Sequence, residues 1–148
     1  MGSTHTAILL HVVFATRDRR PWMTDGMRPR VFEYFGGAVR GQGGVAAAIG
    51  GMPDHVHLLV RWRADEALST LMREIKAQSS RWVHETFPAC AEFAWQEGYA
   101  AFSVSPSQSA RVKRYIENQE EHHRVRDFRQ ELTALLGAHG VDFDERYL

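Results

Sequence analysis

One cysteine, Cys90, is all that this 148-residue sequence holds. A lone thiol cannot build an intrachain disulfide framework, so a reducing, cytoplasmic compartment is expected. Long hydrophobic runs are missing as well. The stretch Ala7 to Ala15 is interrupted by His11 and is too short to span a bilayer. Met1 to Thr6, ahead of it, lack the basic region of a secretory signal. No membrane role is expected. Net charge is zero, with 18 basic and 18 acidic residues, so a uniformly basic nucleic-acid coat is excluded. There is no Walker P-loop, no Cys-x-x-Cys and no His-Glu-x-x-His, which removes three familiar nucleotide and zinc signatures. Gly41-Gln42-Gly43-Gly44-Val45-Ala46 matches G-x-G-x-x-A. It follows a helical pattern and precedes a strand, the reverse of the order a dinucleotide site needs, and reads as a turn.

What is present suffices for a core. Hydrophobic residues make up 44% of the chain, and the length suits one domain over 1–148. Thr6 to Thr16 reads as a central strand, closed by the basic turn Arg17 to Pro21. Pro29 to Val39 reads as a helix and Val45 to Ile49 as a short strand. Gly50 to Asp54 turns the chain into a second strand of the same hairpin, ending near Trp62. Leu68, Leu71, Met72, Ile75, Ser79 and Trp82 keep helical spacing up to Phe87-Pro88. Two short extended pieces span Phe93 to Val104. Ser105-Pro106-Ser107-Gln108 has the form of a capping box and starts a helix expected to reach about His123. Phe128 to Leu136 gives a last helix. This order predicts an α+β fold: an antiparallel sheet with helices on one face, the split βαβ or ferredoxin-like arrangement. The other face is expected to be open for a ligand.

The expected site starts from Asp54-His55-Val56-His57-Leu58-Leu59-Val60. Side chains alternate along a strand, so His55, His57 and Leu59 share one face, and Val56, Leu58 and Val60 face the core. Two imidazoles so placed can converge on one cation. Alone they leave a site incomplete, and a solvent-facing pair without a ligand explains them as well. The helix after Ser105 carries Val112, Tyr115, Ile116 and Gln119 on one stripe, at about 100° per residue. A glutamine there needs a partner, because an unpaired buried amide costs about 1–3 kcal/mol. Its oxygen could be a third ligand; taken alone, the helix is better accounted for by an ordinary core tyrosine and a hydrogen-bonded glutamine. Together, two imidazoles and an amide oxygen suit Mg²⁺ or Mn²⁺ bound to phosphate oxygens and water. Tyr115 could then attack phosphorus and form a phosphotyrosine. Arg17, Arg19, Arg20, Arg73, Lys76, Arg81, Arg111, Lys113 and Arg114 are candidate contacts to a phosphate backbone. They read equally as solvated surface charge. Cys90 has no nucleophile signature around it and reads as structural.

These pieces, in order, resemble a known family. Gly51-Met52-Pro53-Asp54-His55-Val56-His57-Leu58-Leu59-Val60 resembles the HUH motif of the single-tyrosine transposases of bacterial insertion sequences, the IS200-like transposases. Trp95-Gln96, Gly98-Tyr99 and Phe102 to Ser105 are similar to the segment before that family's catalytic helix, and Tyr115-Ile116-Glu117-Asn118-Gln119 to the helix itself. His11 to Thr16, Arg19-Arg20-Pro21 and the tail Asp144 to Leu148 fit too, so the resemblance covers nearly the whole chain. One departure is Ala100, where a second glycine is expected. The resemblance implies His55, His57 and Gln119 as metal ligands and Tyr115 as nucleophile. It implies single-stranded DNA near hairpin ends as substrate, cleaved to a 5′-phosphotyrosine and a free 3′-hydroxyl that later rejoins strands. It also implies a homodimer whose active sites are shared between subunits. Two other readings stand beside it. One is a relaxase or replication initiator using the same histidine pair, which the short chain disfavours. The other is a non-catalytic single-stranded nucleic-acid-binding module, which would not need Tyr115 and Gln119 together.

Overall fold

The computed structural model describes residues 2–148, the side chain of Tyr147 apart; Met1 and that side chain lie outside the described residues. Four strands form one antiparallel sheet: β1 (Leu9–Ala15), β2 (Val45–Met52), β3 (His55–Arg61) and β4 (Ala100–Val104). Their spatial order is β2-β3-β1-β4. Each βαβ crossover therefore skips one strand, which is the split arrangement the sequence predicts. The β2–β3 hairpin is as expected, although β2 runs on to Met52. The glycine-rich segment is a turn: Gly43 has φ of +90°, a conformation glycine adopts without strain.

Two long helices, α1 (Arg28–Gly41) and α2 (Leu68–Thr86), cover one face. Val12 and Phe14 of β1 and Val56, Leu58 and Val60 of β3 meet Val31, Phe35, Leu71, Met72 and Ile75 there. This is the face that alternation assigned to the core. Cys90 is buried beside the same cluster as a free thiol.

The opposite face, expected to be open, is covered. Three shorter helices lie over it: α3 (Ser109–Glu117), α4 (Gln119–His122) and α5 (Phe128–Ala138). The reason lies in the apolar residues of that face. Val13, Ala15 and Phe102 pack with Phe128 and Leu136 of α5, and Leu9, Ala48 and Leu59 pack with Ile116 of α3. Leaving these in water would forfeit roughly 1.5–3 kcal/mol for each large side chain.

Two local expectations also change. Ser105 makes no capping bond; its hydroxyl meets that of Ser107, and a single 3₁₀ turn (Pro106–Gln108) precedes α3. The capping box forms instead on α5, where Asp127 and Gln130 bond reciprocally. The tyrosine helix does not run unbroken to His123. It stops at Asn118, with φ −106° and ψ 33°, and α4 begins at Gln119.

Gly50 explains how closely α3 docks. A Cβ at Gly50 would lie 1.9 Å from the carbonyl oxygen of Ile116. Gly50 pairs across the hairpin with His57, so this contact sets the height of Tyr115 above the histidines. Gly50→Ala is expected to destabilise the protein by about 1–3 kcal/mol, as overpacking does. Thermal denaturation reads this directly, and an unchanged melting curve would show that α3 does not need the contact.

Candidate functional site

β3 delivers both histidines to the covered face, where each is fully buried, with 0% exposure. Each ring is held from behind. The Nδ1 of His55 lies 2.8 Å from Asp54 Oδ1, and that of His57 lies 2.8 Å from His11 Nε2 on β1. Phe128 stacks on the His55 ring at 4.3 Å. Such partners fix ring orientation and leave the Nε2 atoms as the forward-facing groups.

In front of them lies Glu131 of α5, also 0% exposed. Its Oε1 is 3.0 Å from His57 Nε2, 3.3 Å from His55 Nε2 and 3.0 Å from His123 Nε2. Its Oε2 accepts the Tyr115 hydroxyl and, at 3.0 Å, the Gln119 amide. Gln119 Oε1 sits 3.0 Å from His55 Nε2 and 3.2 Å from His123 Nε2. The partners required for a buried glutamine are therefore present. The break at Asn118 lets Gln119 reach His55 while Ile116 stays packed on Gly50.

The charges follow from this packing. Burial opposes a charged His55, but its bonds to Asp54, Glu131 and Gln119 outweigh burial and push its pKa up to about 9. Burial takes His57 down to about 4 against the pull of Glu131. Burial and the neighbouring His57 take His11 down to about 3. Burial would raise Glu131, yet hydrogen bonds from His55, His57 and Tyr115 hold its carboxyl well below the usual range. Burial, then the Glu131 carboxylate, raises the Tyr115 hydroxyl above its usual range. Tyr115 is thus kept protonated beside an anion.

The donor set fits a cation. Charged, His55 donates through both ring nitrogens, to Asp54 on one side and to the oxygens of Gln119 and Glu131 on the other. The acceptor oxygens thus already gather around one positive charge, which a divalent cation displacing that proton would supply to the same groups. His55, His57 and Glu131 form the one cluster of histidine, cysteine and carboxylate groups with metal-site spacing among the described residues.

Tyr115 is reached from outside through a cleft of about 640 Å³, bordered by His11, Ser103, Gln108, Arg111 and Val112. His122 stacks on the tyrosine ring at 4.4 Å, and its buried Nε2 has no hydrogen-bond partner. The candidate DNA contacts divide by location. Arg111, Lys113 and Arg114 are exposed on α3, Lys113 lying 3.9 Å from Glu117. Arg17 and Arg20 are exposed at the turn after β1, and Arg19 there donates to the Leu148 carbonyl. Arg73 and Lys76 sit on α2, across the sheet from the histidines. Lys76 is engaged by the carbonyls of Gln96 and Gly98 at 2.7 and 2.8 Å.

Sequence reasoning placed His55, His57, Tyr115 and Gln119 at the site and missed Glu131, His123 and the supporting His11. Glu131 left a signal: it lies three residues after Phe128, on the stripe that Leu132 and Leu135 continue. A carboxylate on an apolar stripe must have a buried partner.

Comparison with known proteins agrees with this architecture. Residues 4–119 match the family model described as "Transposase IS200 like". Over 75 residues, 47% of the chain, the sequence is 31% identical to the ISDra2 transposase TnpA of Deinococcus radiodurans. That match spans 54% of the relative's length, about half. Two solved structures share the fold. One is a protein assigned as a transposase from Deinococcus radiodurans, with TM-score 0.65 and 24% identity over 80% of this chain and 96% of that one. The other is a REP-associated tyrosine transposase bound to a REP hairpin, with TM-score 0.56 and 19% identity over 78% and 70% of the two chains.

Proposed function

We propose, from the premise that this chain belongs to the IS200-like transposase family, that it is a metal-dependent enzyme that cleaves and rejoins single-stranded DNA through a 5′-phosphotyrosine. One observation carries the reading: His55, His57, Gln119 and Tyr115 converge on a single buried point, although they come from β3 and from two separate helices. An ordinary core glutamine would have no reason to face the His55 Nε2, nor an ordinary core tyrosine to share with it the carboxylate that meets both histidines.

In this reading His55, His57 and Gln119 would hold Mg²⁺ or Mn²⁺. The cation, when bound, offsets the negative charge that builds on the phosphodiester. Tyr115 is the nucleophile: its hydroxyl gives up the proton it directs at Glu131, its oxygen bonds to phosphorus as the 3′-oxygen leaves and takes up a proton as the 3′-hydroxyl, and the linkage's energy is kept for rejoining. Asp54 and His11 orient the histidines. Arg111 flanks the cleft by which a strand would reach Tyr115, and Lys113, Arg114, Arg17, Arg19 and Arg20 would follow its backbone.

The substrate is proposed to be single-stranded DNA next to hairpin ends, in the bacterial cytoplasm. The hairpin-bound fold relative supports the first part. A homodimer belongs to the same proposal. In this structure both halves of the site, the histidine strand and the helices, meet within one chain. Mixing Tyr115→Phe with His57→Ala tests how the dimer divides the work. Recovered activity means that subunits share sites; an inactive mixture means that each chain closes its own.

The test of the whole reading is incubation with single-stranded DNA from the flanks of the protein's own gene. Cleavage is expected with Mg²⁺ or Mn²⁺, and loss of it on adding a chelator. Intact DNA across all flanks with both metals would overturn the proposal. Binding without cleavage would leave the non-catalytic module as the better reading.

A further inference from the structure

We propose that Glu131 is itself a cation ligand, supplied by this chain's own α5, so that the site has four protein donors rather than three. The inference rests on the cation reading above and adds a residue outside the matched family segment, which ends at residue 119.

Geometry carries it. Neighbouring donors around an octahedral Mg²⁺ or Mn²⁺ with bonds of about 2.1 Å lie roughly 3.0 Å apart. Glu131 Oε1 stands 3.0 Å from His57 Nε2 and 3.3 Å from His55 Nε2. Gln119 Oε1 stands 3.0 Å from His55 Nε2. These three separations are those of neighbouring positions in one coordination shell, and His55, His57 and Glu131 each offer an atom within 4.8 Å of the others. Glu131 has no alternative in solvent, since it is fully buried among these groups.

The fourth donor changes what the site can do. Two imidazoles and an amide are neutral, whereas a carboxylate brings one negative charge and a hard oxygen, the ligand type these cations prefer. Glu131 also has a second oxygen, which holds the Tyr115 hydroxyl. One side chain would therefore tie the cation to the nucleophile and fix the distance between them. A helix beyond the matched segment would set the register of the chemistry.

The test is titration calorimetry with Mn²⁺ alone, on wild type, Glu131→Gln, Glu131→Asp and His57→Ala, with folding followed by circular dichroism. Glu131→Gln keeps the shape and removes the charge. It is expected to bind Mn²⁺ at least about tenfold more weakly, since even outer-shell partners contribute about that much. Glu131→Asp keeps the charge and is expected to bind between the two; it also serves if the Gln variant fails to fold. Unchanged affinity in Glu131→Gln, with affinity lost in His57→Ala, would overturn the inference and leave the three-donor site standing. Tighter binding by Glu131→Gln would overturn it too, by showing that Glu131 blocks the cation. Wild type that binds no Mn²⁺ would overturn both this inference and the cation reading beneath it.

Discussion

Tyr115→Phe is expected to abolish strand cleavage, by on the order of 10³-fold or more, while leaving the protein folded. The variant keeps the ring that packs against His122 and loses only the hydroxyl that Glu131 accepts. Losing one bond to a charged carboxylate costs about 1.5–3 kcal/mol, and Glu131 keeps the Gln119 amide on the same oxygen. No second hydroxyl among the described residues bonds to Glu131, so no neighbour replaces the nucleophile. Deleting a nucleophile removes the covalent route rather than weakening it. Cleavage kinetics on flanking single-stranded DNA, beside a thermal melt, separate the two effects. Residual cleavage within tenfold of wild type would remove Tyr115 from its role.

His57→Ala is the second large effect. The variant loses an imidazole with no exposure and two partners, His11 Nε2 at 2.8 Å and Glu131 Oε1 at 3.0 Å. Glu131 keeps His123 and His55 on that oxygen, so His11 is the group left without its partner, and the loss is expected to destabilise the fold by about 1–3 kcal/mol. The activity loss should be larger. A cation at a phosphoryl centre supplies several kcal/mol of transition-state stabilisation, which at about 1.4 kcal/mol per decade is on the order of 10²- to 10³-fold. A Mn²⁺ titration of cleavage should show that excess metal does not restore the wild-type rate. Full restoration would mean that His57 is a packing residue.

Much of this was legible in local pattern. Period-two alternation in Val56, Leu58 and Val60 against His55, His57 and Leu59 told the two sheet faces apart. The stripe from Leu68 to Ile75 identified α2, and the element order led to the strand order. Four features were not legible. The break at Asn118 has no glycine or proline to announce it, and the pattern Tyr115, Ile116, Gln119 reads as continuous. The docking of Ile116 on Gly50 is visible only once β2 and α3 meet. The covering of the histidine face follows from Val13, Ala15 and Leu59, whose joint demand appears when β1 and β3 pair. Glu131 reaches the histidines from 74 residues beyond His57, a distance over which spacing carries no information.

The most direct measurement is mass spectrometry of the covalent product. Wild-type protein is incubated with Mn²⁺ and flanking single-stranded DNA, denatured, and digested with nuclease and protease. The expected result is a nucleotide joined through its 5′-phosphate to the peptide that holds Tyr115, and to no other peptide. Cleaved DNA with no protein adduct, or an adduct on another residue, would contradict the central claim that this tyrosine is the nucleophile of a cation-assisted site.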